Sequence, residues 1–298
     1  MDDIKWFAGF LLIIGIIWLS GKAGAPSQPG KSATTTPKTQ VAPKKVTAPQ
    51  KSSDVAPARG SVAQPQVQQV LPAHISPLRG KLSIGSIGKG TVDREYVIIQ
   101  ASNRNASAID ITGLTIKSRV SLIGHTIGNG WLVYFPNTTG DGEPILLRPG
   151  GRAYLISGRP PNGVALPKFG GFQLNLCTGF LEQNLNFYPS LPLQCPNPKD
   201  GPLPADISDD CYDYLARLRR CVVPTSVPKY LESDGSCRAY AFNKINYGQC
   251  VTDYRNHPNF FRGEWRIYFR RTSKLWRDRK EVIELLDREG RLIDVRSF

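Results

Sequence analysis

The chain has 298 residues, 40% of them hydrophobic, and a formal charge of +14 at neutral pH, with three histidines and one methionine. That length leaves room for an anchor, a linker and one large or two small domains. It does not follow that the body is a nucleic-acid binder, because the stretch from Lys22 to Arg79 alone carries eight basic residues against Asp54.

The first element is the apolar run from Trp6 to Leu19, flanked by Lys5 and Lys22. As a helix, Ile4 to Gly21 would span roughly 27 Å, close to the roughly 30 Å hydrocarbon core of a bilayer. Trp6 and Trp18 stand near the two ends, where indoles prefer the headgroup region. Residues 1–22 are therefore expected to form a single transmembrane helix. A cleaved signal peptide is the rival, with Ala23-Gly24-Ala25 resembling a cleavage site and Pro26 fitting it badly.

Residues 23–74 are rich in Pro, Ala, Thr, Ser, Gln and Lys and contain no aromatic side chain. Such a segment cannot bury enough apolar surface to offset the entropy of ordering, so a disordered linker is expected. Its lysines favour contact with anionic lipid or wall polymer, screened by salt. Lys22, Lys31 and Lys38 argue by charge bias for a cytoplasmic body. The cysteines argue for the opposite side and weigh more.

From residue 75 to 298 the pattern changes to short β-rich segments bounded by Gly, Asn, Asp and Pro. They include Tyr96-Val97-Ile98-Ile99, Ile109 to Ile116, Trp131 to Phe135, and Ala153-Tyr154-Leu155-Ile156 after the turn Arg148-Pro149-Gly150-Gly151. Short strands at this spacing indicate an antiparallel sandwich or barrel. Near the end, Glu281 to Leu286 and Leu292-Ile293-Asp294 flank Asp287-Arg288-Glu289-Gly290, a strand–turn–strand signal.

In their order, Glu95–Ile99, Ala108–Ile116, Leu147–Ile156 and Glu281–Asp294 resemble the bacterial form of the lamin-tail domain. The resemblance implies an immunoglobulin-like β-sandwich, a scaffolding or interaction role, and no catalytic residues. It covers about residues 75–195 and 263–298. Residues 196–262 are a departure from it, read as a cysteine-rich insertion before the final strands. DNA contact by some lamin tails raises nucleic acid as a partner, which remains the less favoured one.

All six cysteines lie in the body: Cys177, Cys195, Cys211, Cys221, Cys237 and Cys250. An even count suits a disulfide set, with fifteen pairings in principle. Zinc ligation needs ligands two to four residues apart, and no such cysteine pair occurs; buried free thiols are the other alternative. Asp210 to Cys221 and Ser236 to Asn246, capped by Ser236, read as two helices. An antiparallel hairpin of these predicts Cys211–Cys250 and Cys221–Cys237, leaving Cys177–Cys195 as a local clip. Disulfides require an oxidising compartment, hence a single-pass membrane protein with an extracytoplasmic body.

Arg262 to Lys280 is the candidate binding segment. Alternation places Trp265, Ile267 and Phe269 on an inner face and Arg266, Tyr268 and Arg270 on an outer one. With Arg271, Lys274 and Arg277, these form a candidate anionic-ligand surface for DNA or an acidic wall polymer; a solvated strand face is the simpler account. Arg279 and Lys280 extend the charge. Gly85 to Thr91 fails the phosphate-loop pattern, since Lys89 is followed by Gly90. Asp209, Asp210 and Asp213 read as helix-start acids rather than a calcium site. Asn105 and Asn137 head glycosylation-type triplets of a kind that arises by chance. No cofactor, metal centre or enzymatic activity is expected.

Overall fold

The computed structural model describes residues 74–298; the anchor and linker expected at 1–22 and 23–74 lie outside the described residues, apart from His74. The body is mainly β. Its largest sheet contains six strands in the order β1 (Leu82–Gly88), β2 (Tyr96–Ala101), β8 (Arg152–Ile156), β10 (Phe261–Tyr268), β9 (Gly171–Asn175) and β6 (Gly130–Trp131). A second sheet has the order β12 (Leu292–Ser297), β11 (Val282–Leu286), β4 (Thr115–Ser118) and β5 (Gly124–Thr126). The short strands β3 (Ile109–Asp110) and β7 (Leu146–Leu147) pair separately.

The two sheets share one core. Val97, Ile99, Ala153, Leu155, Trp265 and Ile267 point from the first sheet, and Ile116, Ile283, Leu285 and Ile293 from the second. The alternation along β2 and β8 that the sequence displays is therefore the alternation between this core and the opposite side of the sheet. The last two strands form the expected hairpin, with Gly290 at a positive φ of 78° in its turn. The expectation of a wholly antiparallel arrangement is corrected, since β10 lies parallel to β8 and β6 parallel to β9. Between β8 and β10 the chain makes β9 and a long excursion, so β10 returns beside β8 by a crossover.

Although Gln100 and Arg152 remain exposed toward one edge, much of the other side of the six-stranded sheet is covered. The excursion between β9 and β10 folds over it, contributing α1 (Asp209–Arg217), α2 (Gly235–Lys244) and α3 (Tyr247–Tyr254) and short helical turns. Phe172, Leu174, Ile156 and Tyr268 from the sheet join Phe180, Leu191, Leu215 and Tyr240 from this layer in a second core. The inserted layer thus begins just after Asn175, about twenty residues before the boundary expected at 196.

The helices are short and each carries a side-chain cap. Ser208, Asp234 and Asn246 accept hydrogen bonds from the backbone N–H groups of Cys211, Cys237 and Gln249. Such a bond satisfies one of the orphan donors of a helix start. Two boundaries differ from expectation. The first helix stops at Arg217, because Leu218 is extended, and the second is capped by Asp234 rather than Ser236.

Candidate functional site

All six cysteines are paired, as Cys177–Cys250, Cys195–Cys221 and Cys211–Cys237. This corrects both hairpin pairings and the local clip. Cys221 lies beyond the end of α1, and Cys250 belongs to a third helix that the two-helix reading did not include. Cys211 and Cys237 occupy the first turns of α1 and α2, so those helices meet at their N-termini. There the capping groups also join, with the Ser208 Oγ donating to Asp234 Oδ2 at 2.7 Å. The grouping of Asp234 with Cys211 and Cys237 is accordingly a disulfide beside a cap, with both sulfurs committed to each other. A Cβ on Gly179 would collide with the Cys221 sulfur, so glycine there lets the second bridge close.

The candidate anion-binding strand is built differently from expectation. Trp265 and Ile267 face the inter-sheet core as expected, but Arg266 and Tyr268 are also buried. The cause is the inserted layer, which covers the face that alternation had exposed. Register aligns Ile98, Tyr154 and Arg266 across three strands. The Arg266 guanidinium lies 4.0 Å from the Tyr154 ring centroid and is 2% exposed. It is paired with Glu264, which also lies 3.7 Å from Arg152. A buried cation is retained when it is paired and stacked in this way. Burial also pushes the Tyr268 hydroxyl far above its ordinary range, so the phenol remains neutral. Neither residue reaches a polymer at the surface, and both are removed from the candidate contact set.

The remaining four stand on the segment that links β10 to β11. Arg270 is exposed and donates to the Leu166 carbonyl at 2.5 Å. Arg271 donates to the Ser273 carbonyl at 3.0 Å, and its Nη1 lies 2.7 Å from His125 Nε2. Lys274 holds both carboxylate oxygens of Asp278, at 2.6 and 2.7 Å. Arg277 is exposed, as are Arg279 and Lys280, and none of these three side chains has an ion-pair partner among the described residues.

Two buried carboxylates hold this segment down, and sequence reasoning missed both. Glu95 accepts from Ser157 Oγ at 2.6 Å and from the Leu275 backbone N–H at 2.8 Å. Burial pushes its carboxyl above the usual range, while these hydrogen bonds pull the other way. Glu281 accepts from Ser118 Oγ and from the N–H of Arg277, both at 2.9 Å. Between them Leu275 and Trp276 plug the inter-sheet core. The signal that could have revealed this is the apolar pair Leu275-Trp276 inside an otherwise basic run.

His125 stacks on Phe269 with ring centroids 5.3 Å apart and meets Phe169 edge-on at 5.2 Å. Burial first, and the Arg271 cation second, hold its imidazole below its ordinary range. It is thus a packed, neutral ring held between two phenyl groups.

A cleft of about 930 Å³ lies at the end of the sandwich bearing the β11–β12 turn. Its acidic lining residues are engaged by its cations, Asp110 by Arg288, and Asp287 and Glu289 by Arg291. Such pairing suits structural closure of the turn better than acid–base work, which needs a group free to move a proton.

No family model, curated protein or solved structure matches the chain. Among the described residues, no helix is long and apolar enough to cross a membrane.

Proposed function

We propose that the chain is a membrane-anchored, extracytoplasmic module of the lamin-tail type, an immunoglobulin-like sandwich serving envelope structure or protein contact rather than catalysis. The observation that carries the reading is the complete and buried pairing of its six cysteines. Such bridges persist in oxidising compartments. The face-to-face sheets and closing hairpin support the lamin-tail assignment, and the apolar run at Trp6–Leu19 supplies the anchor. Differential alkylation of intact cells, with and without a membrane-impermeant reductant, tests address and chemistry together. Six blocked thiols that open under the reductant before lysis are the expected result. Six free thiols reached only after lysis would remove both the address and the function drawn from it.

A second reading is capture of an acidic polymer, DNA or a wall polyanion, favoured by Arg277, Arg279 and Lys280, three exposed cations with no ion-pair partner among the described residues. It requires binding that falls steeply with salt and weakens on Arg277→Ala. Salt-indifferent binding, or none, would reject it.

A further inference from the structure

The β4–β5 hairpin ends in a tip that neither reading uses. Val120, Leu122 and Ile123 are exposed there, Leu122 at 70%. Leu122 also holds a φ of 61°, the left-handed region that favours glycine. A large apolar side chain is thus displayed from a backbone conformation that disfavours it, the kind of local cost that persists at functional sites.

The tip is joined to the basic segment. Ser121 Oγ donates to the Leu275 carbonyl at 3.4 Å, the Arg119 N–H to the Val282 carbonyl at 2.8 Å, and Ser118 Oγ to Glu281. The apolar tip and the cations Arg271, Arg277, Arg279 and Lys280 consequently share one end of the sandwich. The acids nearby are committed, Glu284 to Arg119, Asp278 to Lys274, and Glu281 to the buried bonds that hold the segment. His74 lies at the opposite end, where its carbonyl accepts from Leu292. The tip is therefore far from the first described residue.

We propose that this end docks on an anionic phospholipid bilayer, with Val120, Leu122 and Ile123 entering the headgroup–acyl boundary and the surrounding cations contacting lipid phosphates. Apolar residues ringed by Lys and Arg are the composition that binds such an interface. Charge complementarity selects this occupant. A second copy would bring the same cations against one another, and a soluble polyanion makes no use of Leu122.

The test uses the full chain reconstituted in phosphatidylcholine vesicles, carrying the environment-sensitive fluorophore NBD at Leu122→Cys or, as a far-end control, at Ser107→Cys. Peptide mapping verifies the three native bridges in each. Flotation with the neutral vesicles alone reports the anchor separately, so failure of the anchor and failure of the tip are distinguished. Protein-free phosphatidylcholine–phosphatidylglycerol vesicles are then added. The proposal expects a blue-shifted gain in emission at position 122, none at 107, and reversal by salt. In unlabelled protein, Leu122→Asp and the triple charge reversal of Arg277, Arg279 and Lys280 to Glu should each lower capture of the anionic vesicles by about tenfold. No gain at 122, an equal gain at 107, or an equal response to neutral target vesicles would overturn it. So would retention of duplex DNA that Leu122→Asp leaves unchanged while anionic vesicles are not captured, which would point to polymer capture instead.

Discussion

The two sides of the six-stranded sheet are held by different means. On one side the core is largely aliphatic, built from Val97, Ile99, Ile116, Leu155, Ile267, Ile283 and Leu285 around Trp265, Phe269 and Trp276, and contains no cysteine. On the other side all six cysteines share a core with Phe172, Phe180, Tyr240 and Tyr268. Strands supply the first with neighbours that are already hydrogen-bonded in register. The second rests on helices of eight to ten residues, lengths at which an isolated helix is marginal in water. The difference teaches where covalent staples are needed: the bridges lie where local structure is weakest, and the sheet-to-sheet core does without them.

That contrast is most severely tested by Trp265→Ala. The indole is almost fully buried and its Nε1 donates to the Leu146 carbonyl at 3.2 Å. Its loss should cost about 3–5 kcal/mol, read from denaturant unfolding of the oxidised protein. A loss below about 1 kcal/mol would show that the disulfide layer, rather than the sandwich, dominates.

Next in size is removal of the bridge that closes the longest loop, Cys177–Cys250, with a separation of 73 residues. Chain-entropy reasoning puts the cost of the double Ser variant at about 4 kcal/mol, with strain and residual structure reducing it. Hydrogen exchange sharpens the comparison. Protection should fall in α1–α3 while β4 and β11 keep theirs; uniform loss would mean that the two cores unfold as one unit.

Arg266 separates packing from charge at the boundary between the regions. Arg266→Ala opens a void beside Tyr154 while Glu264, partly exposed, keeps Arg152 nearby, so the cost is chiefly that of the cavity, about 2–5 kcal/mol. Arg266→Met restores much of the packed volume and should cost less than about 1.5 kcal/mol. Equal losses in both variants would show that the ion pair, not the filled space, is what matters.

The smallest effect is set by pH. His125 has its imidazole held below the ordinary range in the folded state, so the unfolded chain binds the proton more readily. This contribution to stability is present above the unfolded value of about 6.5 and is lost as pH falls from there toward the lowered folded value. Thermal melts between neutral and mildly acidic pH should therefore decline more steeply for the native protein than for His125→Asn. Parallel declines would show that the ring titrates freely.

Much of this architecture was legible in the residues alone. Alternation along Tyr96–Ile99 and Ala153–Ile156 identified strands, and the Asp287–Gly290 turn identified the last hairpin, because each is a local signal. The even cysteine count and the absence of close ligand spacing indicated bridges rather than zinc. Tertiary structure alone decided which cysteines meet, since that depends on α1 ending at Arg217 and on a third helix carrying Cys250. It also decided the fate of Arg266 and Tyr268. A strand's period of two divides its side chains between two faces, but nothing in that period says whether a segment that precedes it in the chain will fold back to cover the second face.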